Sequence, residues 1–186
     1  MEKIIFVDRD GVINVDLIGD YIKHPDEFRF EPGAVQALHM FRDGGYKIVI
    51  ISNQAGVGDG IFTEAAMWKV HRHMESLLKK EGLAAWKTYY CLHGKEAGCG
   101  CRKPETGLFE QAARDFTFDR KTTFFIGDKA SDTNAGKRFG LKTAFVRTGH
   151  GANEEKLLDP KNPPEIKAAN LLEAARQILT RISHHQ

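Results

Sequence analysis

The sequence predicts an α/β fold in which a doubly wound parallel sheet lies between two layers of helices. Short, continuous apolar runs rich in β-branched and aromatic residues alternate along the chain with longer amphipathic segments. Continuous apolar runs are typical of strands that are buried on both faces, as in a parallel sheet. The regular alternation of strand and helix patterns indicates βαβ units, and hence a Rossmann-like, three-layer arrangement.

Five strand patterns alternate with five helix patterns. The predicted strands cover residues 3–8, 46–52, 87–92, 122–128 and 142–147. The predicted helices cover residues 33–43, 64–81, 106–115, 131–139 and 170–182. Thr63 and Glu64 are suited to the N-cap and first turn of the second helix, while Gly82 and Gly140 stand where helices are expected to end. The turn-rich residues 159–165 lead to the last helix, after which we expect a frayed end.

The composition is that of an ordinary globular protein. The chain has 186 residues, of which 41% are hydrophobic and 28% charged, and its formal net charge is +2. This length fits one domain over residues 1–186. The near-neutral charge gives no basis for binding nucleic acid or a membrane through bulk electrostatics.

The sequence also indicates where the protein works. It contains no run of eighteen apolar residues, so no membrane-spanning helix is expected. Residues 1–11 become charged too early for a secretory signal, and we therefore expect a cytoplasmic protein with reduced thiols. We expect it to be a monomer.

Polar residues collect where the predicted strands end. Carboxylates follow the first and fourth strands, a Ser-Asn-Gln sequence follows the second, and two cations follow the third; these residues are Asp8, Asp10, Ser52, Asn53, Gln54, Arg102, Lys103, Asp128 and Asp132. In open α/β sheets the site lies outside the carboxyl ends of the strands. Any one aspartate is equally well explained as a loop or cap residue. As a set they would repel one another unless a cation bound between them, and Mg²⁺ with a phosphate is the natural ligand.

A second cluster contains all three cysteines of the chain. The spacing is Cys91-x-His93, five residues, then Cys99-x-Cys101. Three thiolates and one imidazole suit tetrahedral Zn²⁺, and four ligands leave no open position, so a structural zinc is predicted. An odd cysteine count in a reducing compartment disfavours a disulfide, and a redox pair is more usually CxxC. The alternative is a buried strand cysteine with two idle thiols. The predicted zinc loop, residues 91–103, would aim Arg102 and Lys103 at the substrate.

The motifs at the strand ends resemble a known family. The segment "DRDGVIN" resembles the first motif of the haloacid-dehalogenase-like phosphatases, "SNQ" the second, Lys103 the third and "GDKASD" the fourth. The resemblance implies that Asp8 is the nucleophile of an aspartyl-phosphate mechanism and that Asp10 is the general acid and base. It also implies that Asp8, the backbone carbonyl of Asp10 and Asp128 hold Mg²⁺, while Ser52 and Lys103 stabilise phosphoryl charge. Asp132 would orient Lys103 or a metal-bound water, or cap a helix.

The cysteine loop with its C-x-C-R-K-P ending narrows this resemblance. It is similar to that of the D-glycero-D-manno-heptose 1,7-bisphosphate phosphatases and of the related histidinol-phosphate phosphatase domain, neither of which has a large cap domain. The segments at 13–22, 28–34, 62–67 and 146–151 look like the heptose branch, whereas the His93–Cys99 gap and "GDKASD" look like the histidinol branch. We expect removal of the 7-phosphate of the heptose bisphosphate, with histidinol phosphate as the alternative substrate. The expected substrate contacts are Arg9, Asn14, Asp16, Tyr21, Asn53, Gln54, Arg102 and Lys103.

Two other functions compete with this one. A non-catalytic zinc module that binds an acidic partner would explain the cysteines but not Asp8, Asp10 and Asp128. A polynucleotide 3′-phosphatase shares the nucleophile motif, but the near-neutral charge and the lack of an aromatic-rich basic groove argue against it. A small phosphorylated sugar is therefore the expected partner.

Overall fold

Six parallel strands form one sheet in the computed structural model, which describes residues 1–183. The strands are β1 (Ile4–Val7), β2 (Lys47–Asn53), β3 (Lys87–Cys91), β4 (Phe124–Gly127), β5 (Lys142–Val146) and β6 (Ile166–Ala168). Their order in the sheet is β3-β2-β1-β4-β5-β6, and every pairing is parallel. The predicted parallel α/β sheet is confirmed. Residues 184–186, where a frayed end is predicted, lie outside the described residues.

Seven α-helices connect or follow the strands within residues 1–183. They are α1 (Ala34–Asp43), α2 (Ala55–Gly58), α3 (Glu64–Lys80), α4 (Gly107–Asp115), α5 (Ala130–Phe139), α6 (Gly151–Glu154) and α7 (Leu171–Ser183). The five longer helices correspond to the predicted ones. Helix α3 begins as its sequence indicates, because the Thr63 hydroxyl accepts a hydrogen bond of 3.1 Å from the Ala66 amide. Gly140 ends α5 with φ 86°, a left-handed conformation that favours glycine.

Among the strands and α-helices of residues 1–183, three short ones were not predicted. Strand β6 has three residues, and helices α2 and α6 have four each. None of them is long enough to show a hydrophobic period. In β6 the middle residue, Lys167, is exposed between two buried neighbours.

The core lies on both faces of the sheet. Alternate residues of β1 point to opposite faces: Ile5 and Val7 pack in one apolar cluster, and Ile4 and Phe6 pack in the other. The first cluster also takes its buried residues from α1, α3 and α7, and the second from α4 and α5. This two-sided burial explains why the strand segments are continuously apolar.

The strand order places the site. Strands β1 and β4 are neighbours in the sheet, and the chain winds outward from them in opposite directions. Their carboxyl ends flank the crevice where open α/β sheets bind ligands. Asp8 directly follows β1 and Asp128 directly follows β4, so the topology itself brings these two carboxylates together.

The sequence led us to expect no large cap domain, and two connections of the sheet bear on this expectation. Between β1 and α1 the chain forms one short 3₁₀ helix, Pro25–Glu27, and α2 and α3 fill the connection from β2 to β3.

Within residues 1–183, no helix is long and apolar enough to cross a membrane. The single domain over residues 1–186, the cytoplasmic location and the monomeric state stay predictions.

Candidate active site

Lys103 joins two carboxylates at the centre of the strand-end cluster. Its Nζ lies 3.1 Å from Asp8 Oδ1 and 2.7 Å from Asp132 Oδ1, and donates a third contact of 3.0 Å to the Ile51 carbonyl. The three charged side chains are almost fully buried. Burial would lower the pKa of Lys103, but the two carboxylates outweigh it, so the pKa is raised and the lysine stays charged.

Asp132 performs two of the functions considered from the sequence. Its Oδ1 pairs with Lys103, while its Oδ2 accepts a hydrogen bond of 3.0 Å from the Lys129 amide at the start of α5. The same carboxylate thus orients the lysine and caps the helix. A side chain fixed at both oxygens has little freedom, and this keeps Lys103 aimed at Asp8.

Asp128 lies between two glycines. One of its oxygens, Oδ2, accepts a hydrogen bond of 2.7 Å from the His150 amide, and the other, Oδ1, is buried without a hydrogen-bond partner among residues 1–183. A Cβ atom on Gly11 or on Gly149 would come within 2.4 Å of Asp128 Oδ2. Both glycines have a positive φ, 81° at Gly11 and 56° at Gly149, which favours glycine. The sequence gave no indication that Gly149 packs against this carboxylate.

Asp8 and Asp128 have the electrostatics of a cation site. Burial, opposed mainly by Lys103, raises the pKa of Asp8 to about 6. Burial and then the charge of Asp132 raise the pKa of Asp128 well above its ordinary value. Carboxylate oxygens of Asp8, Asp128 and Asp132 lie within 4.8 Å of one another. A divalent cation would relieve this crowding, so the donor set fits Mg²⁺.

Asp10 is held in a different environment. Arg9 grips both of its carboxylate oxygens, with Nε and Nη2 at 2.8–3.0 Å. Asn14 donates to Oδ1 at 3.0 Å and Gln54 donates to Oδ2 at 2.7 Å. Burial would raise the pKa of Asp10, but these partners lower it overall. The carboxylate form is thus favoured, which suits a base; a neighbouring phosphoryl dianion would favour its protonated form.

Three residues expected to contact substrate form hydrogen bonds to Asp10. Arg9, Asn14 and Gln54 are buried, and each donates a hydrogen bond to the Asp10 carboxylate. None of the three is among the residues that line the cleft described below. Gln54 also donates to the Ser52 hydroxyl at 3.2 Å, which links the ends of β1 and β2.

Asn53 holds the backbone of Lys103. Its Oδ1 accepts from the Lys103 amide at 3.1 Å, and its Nδ2 donates to the Lys103 carbonyl at 3.2 Å. Both polar groups of the side chain are therefore engaged with one residue. Asn53, also expected to contact substrate, anchors the end of the cysteine loop to β2.

An open cleft of about 350 Å³ lies above these residues. Asp8, Asp10, Ser52 and Lys103 line it, as do Asp16 and Tyr21 from the segment after β1. Arg102 and Lys95 reach the cleft from the cysteine loop. Arg102 Nη1 is buried and has no hydrogen-bond partner in the described part of the chain, as expected of a cation that awaits an anionic ligand.

Lys129 and His150 are among the cleft residues that were not found from the sequence. Lys129 lies 3.7 Å from Asp16, and His150 Nε2 lies 3.1 Å from the same carboxylate. All three residues line the cleft. They come from segments far apart in the chain, after β1, β4 and β5, so no local pattern could indicate that they meet.

The four cysteine-loop donors also converge. The Sγ atoms of Cys91, Cys99 and Cys101 are 3.1–3.6 Å apart, and His93 Nδ1 lies 3.1 Å from Cys101 Sγ and 3.6 Å from Cys91 Sγ. All three cysteines are free thiols. Tetrahedral zinc with bonds of about 2.3 Å would set sulfur atoms about 3.8 Å apart. The arrangement therefore fits Zn²⁺ after a small expansion.

Backbone amides favour a thiolate in this cluster. Burial would raise the pKa of Cys99, but N–H groups of Arg102 and Cys101 that hydrogen-bond to its sulfur lower it to about 7. Cys91, at the end of β3, is fully buried, and burial raises its pKa to about 12. A buried thiol beside an ionised one is the kind of pair that a metal ion would stabilise in its deprotonated form.

The comparisons with known proteins agree with the fold and the site. The strand order and the carboxylate–lysine cluster define a haloacid-dehalogenase-like hydrolase, and a HAD-hydrolase-like family model matches residues 100–174. A probable D-glycero-D-manno-heptose-1,7-bisphosphate 7-phosphatase from Thermoplasma volcanium is 39% identical over 146 residues, which cover 78% of this chain and 99% of the relative. A D-glycero-D-manno-heptose-1,7-bisphosphate 7-phosphatase from Chlorobaculum tepidum is 40% identical over 169 residues, covering 84% of this chain and 83% of the relative.

A solved structure matches nearly the whole chain. The D,D-heptose 1,7-bisphosphate phosphatase from B. bronchiseptica, complexed with magnesium and phosphate, aligns with a TM-score of 0.89 and 30% identity over 96% of this chain and 99% of that one. The chain belongs to the heptose-bisphosphate phosphatase family of the haloacid-dehalogenase-like hydrolases. The interpretation of the chain as a phosphatase is confirmed.

Proposed function

We propose that the protein is a magnesium-dependent phosphomonoesterase that removes the 7-phosphate of D-glycero-D-manno-heptose 1,7-bisphosphate through an aspartyl-phosphate. One observation carries this proposal: Lys103 is paired with Asp8 beside a buried, half-unpartnered Asp128 at the switch point of the sheet. The relatives named above, all heptose bisphosphate phosphatases, support the substrate.

Asp8 supplies the nucleophile. Its carboxylate oxygen attacks phosphorus, and an Asp8–phosphorus bond forms as the bond to the sugar oxygen breaks. Asp10 gives its proton to the departing sugar oxygen. Asp10 then takes a proton from a water that attacks phosphorus. The Asp8–phosphorus bond breaks and inorganic phosphate leaves, so Asp8 is again a carboxylate and Asp10 is again an acid.

Lys103 and Ser52 would stabilise the negative charge of the phosphoryl oxygens. Lys103 lies 3.1 Å from Asp8, close enough to contact an oxygen of the phosphoryl group as it transfers. The Ser52 hydroxyl, which accepts from Gln54, is left to donate to another of those oxygens. Mg²⁺, held by Asp8, Asp128 and the Asp10 carbonyl, would supply further positive charge for the phosphoryl oxygens.

The rest of the substrate would lie against the outer part of the cleft. A bisphosphate carries a second anion, and Arg102, Lys95 and Lys129 line the cleft beyond Lys103. The carboxylates of Asp16 and Asp20 offer acceptors for sugar hydroxyls. Histidinol phosphate has a single phosphate and would leave Arg102 Nη1 without an anionic partner, so this observation favours the heptose bisphosphate.

Zinc in the cysteine loop would have a structural role. Residues 95–98 are exposed and have no apolar core of their own. A tetrahedral ion bound by Cys91, His93, Cys99 and Cys101 would fix this segment to the end of β3. Because Arg102 and Lys103 follow the last ligand directly, the same ion would set the position of both cations.

The test is a comparison of kcat/KM for the heptose 1,7-bisphosphate and for histidinol phosphate, with Mg²⁺ present. We expect the bisphosphate to be preferred by at least about 10²-fold, since a missing anion leaves the buried Nη1 atom of Arg102 unpaired. Phosphorus NMR of the product should show that the 1-phosphate remains. A preference for histidinol phosphate would refute the proposed substrate. Elemental analysis for zinc tests the loop separately.

A further inference from the structure

A line of polar side chains runs from Asp10 to the surface of α3 on one side of the sheet. Arg9, which grips Asp10, is 1% exposed, and its guanidinium carbon lies 5.7 Å from the centre of the Tyr90 ring. The Tyr90 oxygen lies 3.0 Å from His71 Nδ1, and His71 Nε2 lies 3.3 Å from Glu75 Oε1. The proposed mechanism assigns no role to Tyr90, His71 or Glu75.

The partners determine the direction of these hydrogen bonds. The Glu75 carboxylate can only accept, so Nε2 of a neutral His71 carries the proton and Nδ1 is left as an acceptor. The Tyr90 hydroxyl must therefore donate to Nδ1. Burial lowers the pKa of His71, in agreement with a neutral ring. The lone pairs of the Tyr90 oxygen are then free to face a cation.

The cation that the lone pairs of the Tyr90 oxygen face is Arg9. Its Nε and Nη2 are used on Asp10, while its Nη1 is buried without an acceptor in hydrogen-bonding geometry among residues 1–183. Burial raises the pKa of Tyr90, and the nearby charge of Arg9 opposes that rise. Catalytic hydrogen bonds are often long before substrate binds and shorten in the complex. Tyr90 is thus placed to accept from Nη1.

We propose that Tyr90 and His71 are positioning residues, which hold Arg9 and, through it, keep Asp10 in the orientation needed to protonate the leaving oxygen. This inference rests on the proposed function, because it requires Asp10 to be the general acid. Arg9 and Asp10 are adjacent in a tight turn, so the guanidinium needs a fixed support on its far side. The network supplies that support from β3 and α3, which the Asp10 turn does not otherwise reach.

The experiment measures how each variant depends on the leaving group. Tyr90→Phe keeps the ring but removes the acceptor. We expect kcat for the heptose bisphosphate to fall about 10-fold with KM nearly unchanged, as for other outer residues that orient a reacting group. Turnover of 4-nitrophenyl phosphate should change less than about 2-fold, because its leaving oxygen needs no proton. His71→Leu should behave like Tyr90→Phe, whereas His71→Asn, which retains an acceptor near the Nδ1 position, should restore most of the loss.

The chain offers two matched controls. Tyr89→Phe removes the hydroxyl of the adjacent strand residue, which bonds to Asp115 at 2.6 Å and packs in the cluster on the opposite face of the sheet. Trp68→Phe alters a ring that packs edge-on against both His71 and Tyr90 but whose indole nitrogen donates to Glu64. Both controls should leave the leaving-group dependence unchanged.

Two results would overturn the inference. One is a Tyr90→Phe enzyme that matches Tyr89→Phe; the other is an equal loss of kcat on both substrates, as a merely structural effect would give. Asp10→Asn separates the two proposals. If Asp10→Asn discriminates between the substrates and Tyr90→Phe does not, only the positioning network is wrong. If Asp10→Asn does not discriminate either, Asp10 is not the general acid, and both the positioning network and the step assigned to Asp10 in the proposed mechanism are wrong.

Discussion

The strand-end carboxylates and the cysteine loop position their functional groups by different means. Asp8, Lys103, Asp128 and Asp132 are each at most 5% exposed, and they follow strands or begin a helix whose other residues form the core. The loop at residues 95–98 is exposed, and its fixed points are the four donors that converge behind it. The sheet thus supports the chemistry directly, whereas the loop depends on a local cluster.

The two regions should therefore fail in different ways. A change among the carboxylates removes chemistry while the surrounding core remains packed. A change among the cysteines leaves the strand-end carboxylates in place but removes the local support that positions Arg102 beside them. Lys103 connects the two, because it ends the loop and yet is held by Asn53 and Ile51 of β2.

The largest expected effect is that of Asp8→Asn. The substitution keeps the shape of the side chain but removes the attacking charge, so kcat should fall more than about 10⁴-fold. The melting temperature of the metal-free protein should not fall, because burial disfavours the Asp8 carboxylate that is being removed. Steady-state kinetics and a thermal melt check both points. Near-normal turnover by this variant would exclude the aspartyl-phosphate mechanism.

Cys99→Ala should have the next largest effect. Zinc content should fall from about one ion per chain to none, and kcat/KM for the heptose bisphosphate should fall about 10- to 100-fold as Arg102 loses its aim. Turnover of a small aryl phosphate should suffer less, and global stability should drop only moderately, because the core is built from other segments. Elemental analysis, kinetics and a thermal melt measure these quantities.

Glu96→Ala is the matched control in the same loop, since its side chain is exposed and it is no zinc ligand. It should keep both zinc and activity. If the wild-type protein were purified under reducing conditions without zinc and were still fully active, the cysteine loop would not depend on a metal ion to position its cations.

Arg102→Ala should have a smaller and more selective effect. With zinc retained, kcat/KM for the bisphosphate should fall about 10-fold, because one charge-assisted contact to the distant phosphate is lost. An aryl phosphate has no second phosphate, so its hydrolysis should change less than about 3-fold. Arg138→Ala, which removes an exposed partner of Glu105, is the control and should leave both substrates unaffected. Equal losses on the two substrates would place Arg102 at the reacting phosphoryl group instead.

Much of this architecture is predictable because it is local. Continuous apolar runs specify the long strands, and residues that directly follow strands of a parallel sheet must share one edge, which is how Asp8 and Asp128 were paired. The convergence of Cys91 with Cys101 was predictable from eleven residues of sequence with closely spaced ligands. What could not be predicted depends on how side chains orient when the chain packs, even between residues that are close in sequence. Arg9, Asn14 and Gln54 were expected to contact substrate, and only the packing shows that they point at Asp10.

The smallest expected effect concerns Mg²⁺ and protons, and it tests the carboxylate region alone. In the metal-free folded protein the pKa of Asp8 is about 6, above its ordinary 3.8. The folded state therefore binds more protons than the unfolded state between these values, and this contribution to stability is lost as pH rises through about 6. Mg²⁺ requires the ionised carboxylate, so its stabilising effect should grow over the same range.

Thermal melts at pH 5 and pH 7.5, with and without Mg²⁺, measure this coupling. One proton competing at a pKa of about 6 weakens binding about 10-fold at pH 5, which is worth about 1.4 kcal/mol. For a chain of this length, the shift in melting temperature caused by Mg²⁺ should be about 3–5 °C larger at pH 7.5 than at pH 5. Asp128→Asn should abolish the shift at both pH values, whereas Cys99→Ala should retain it. A shift that does not depend on pH would mean that Asp8 is already ionised without metal, with Lys103 alone compensating for its burial.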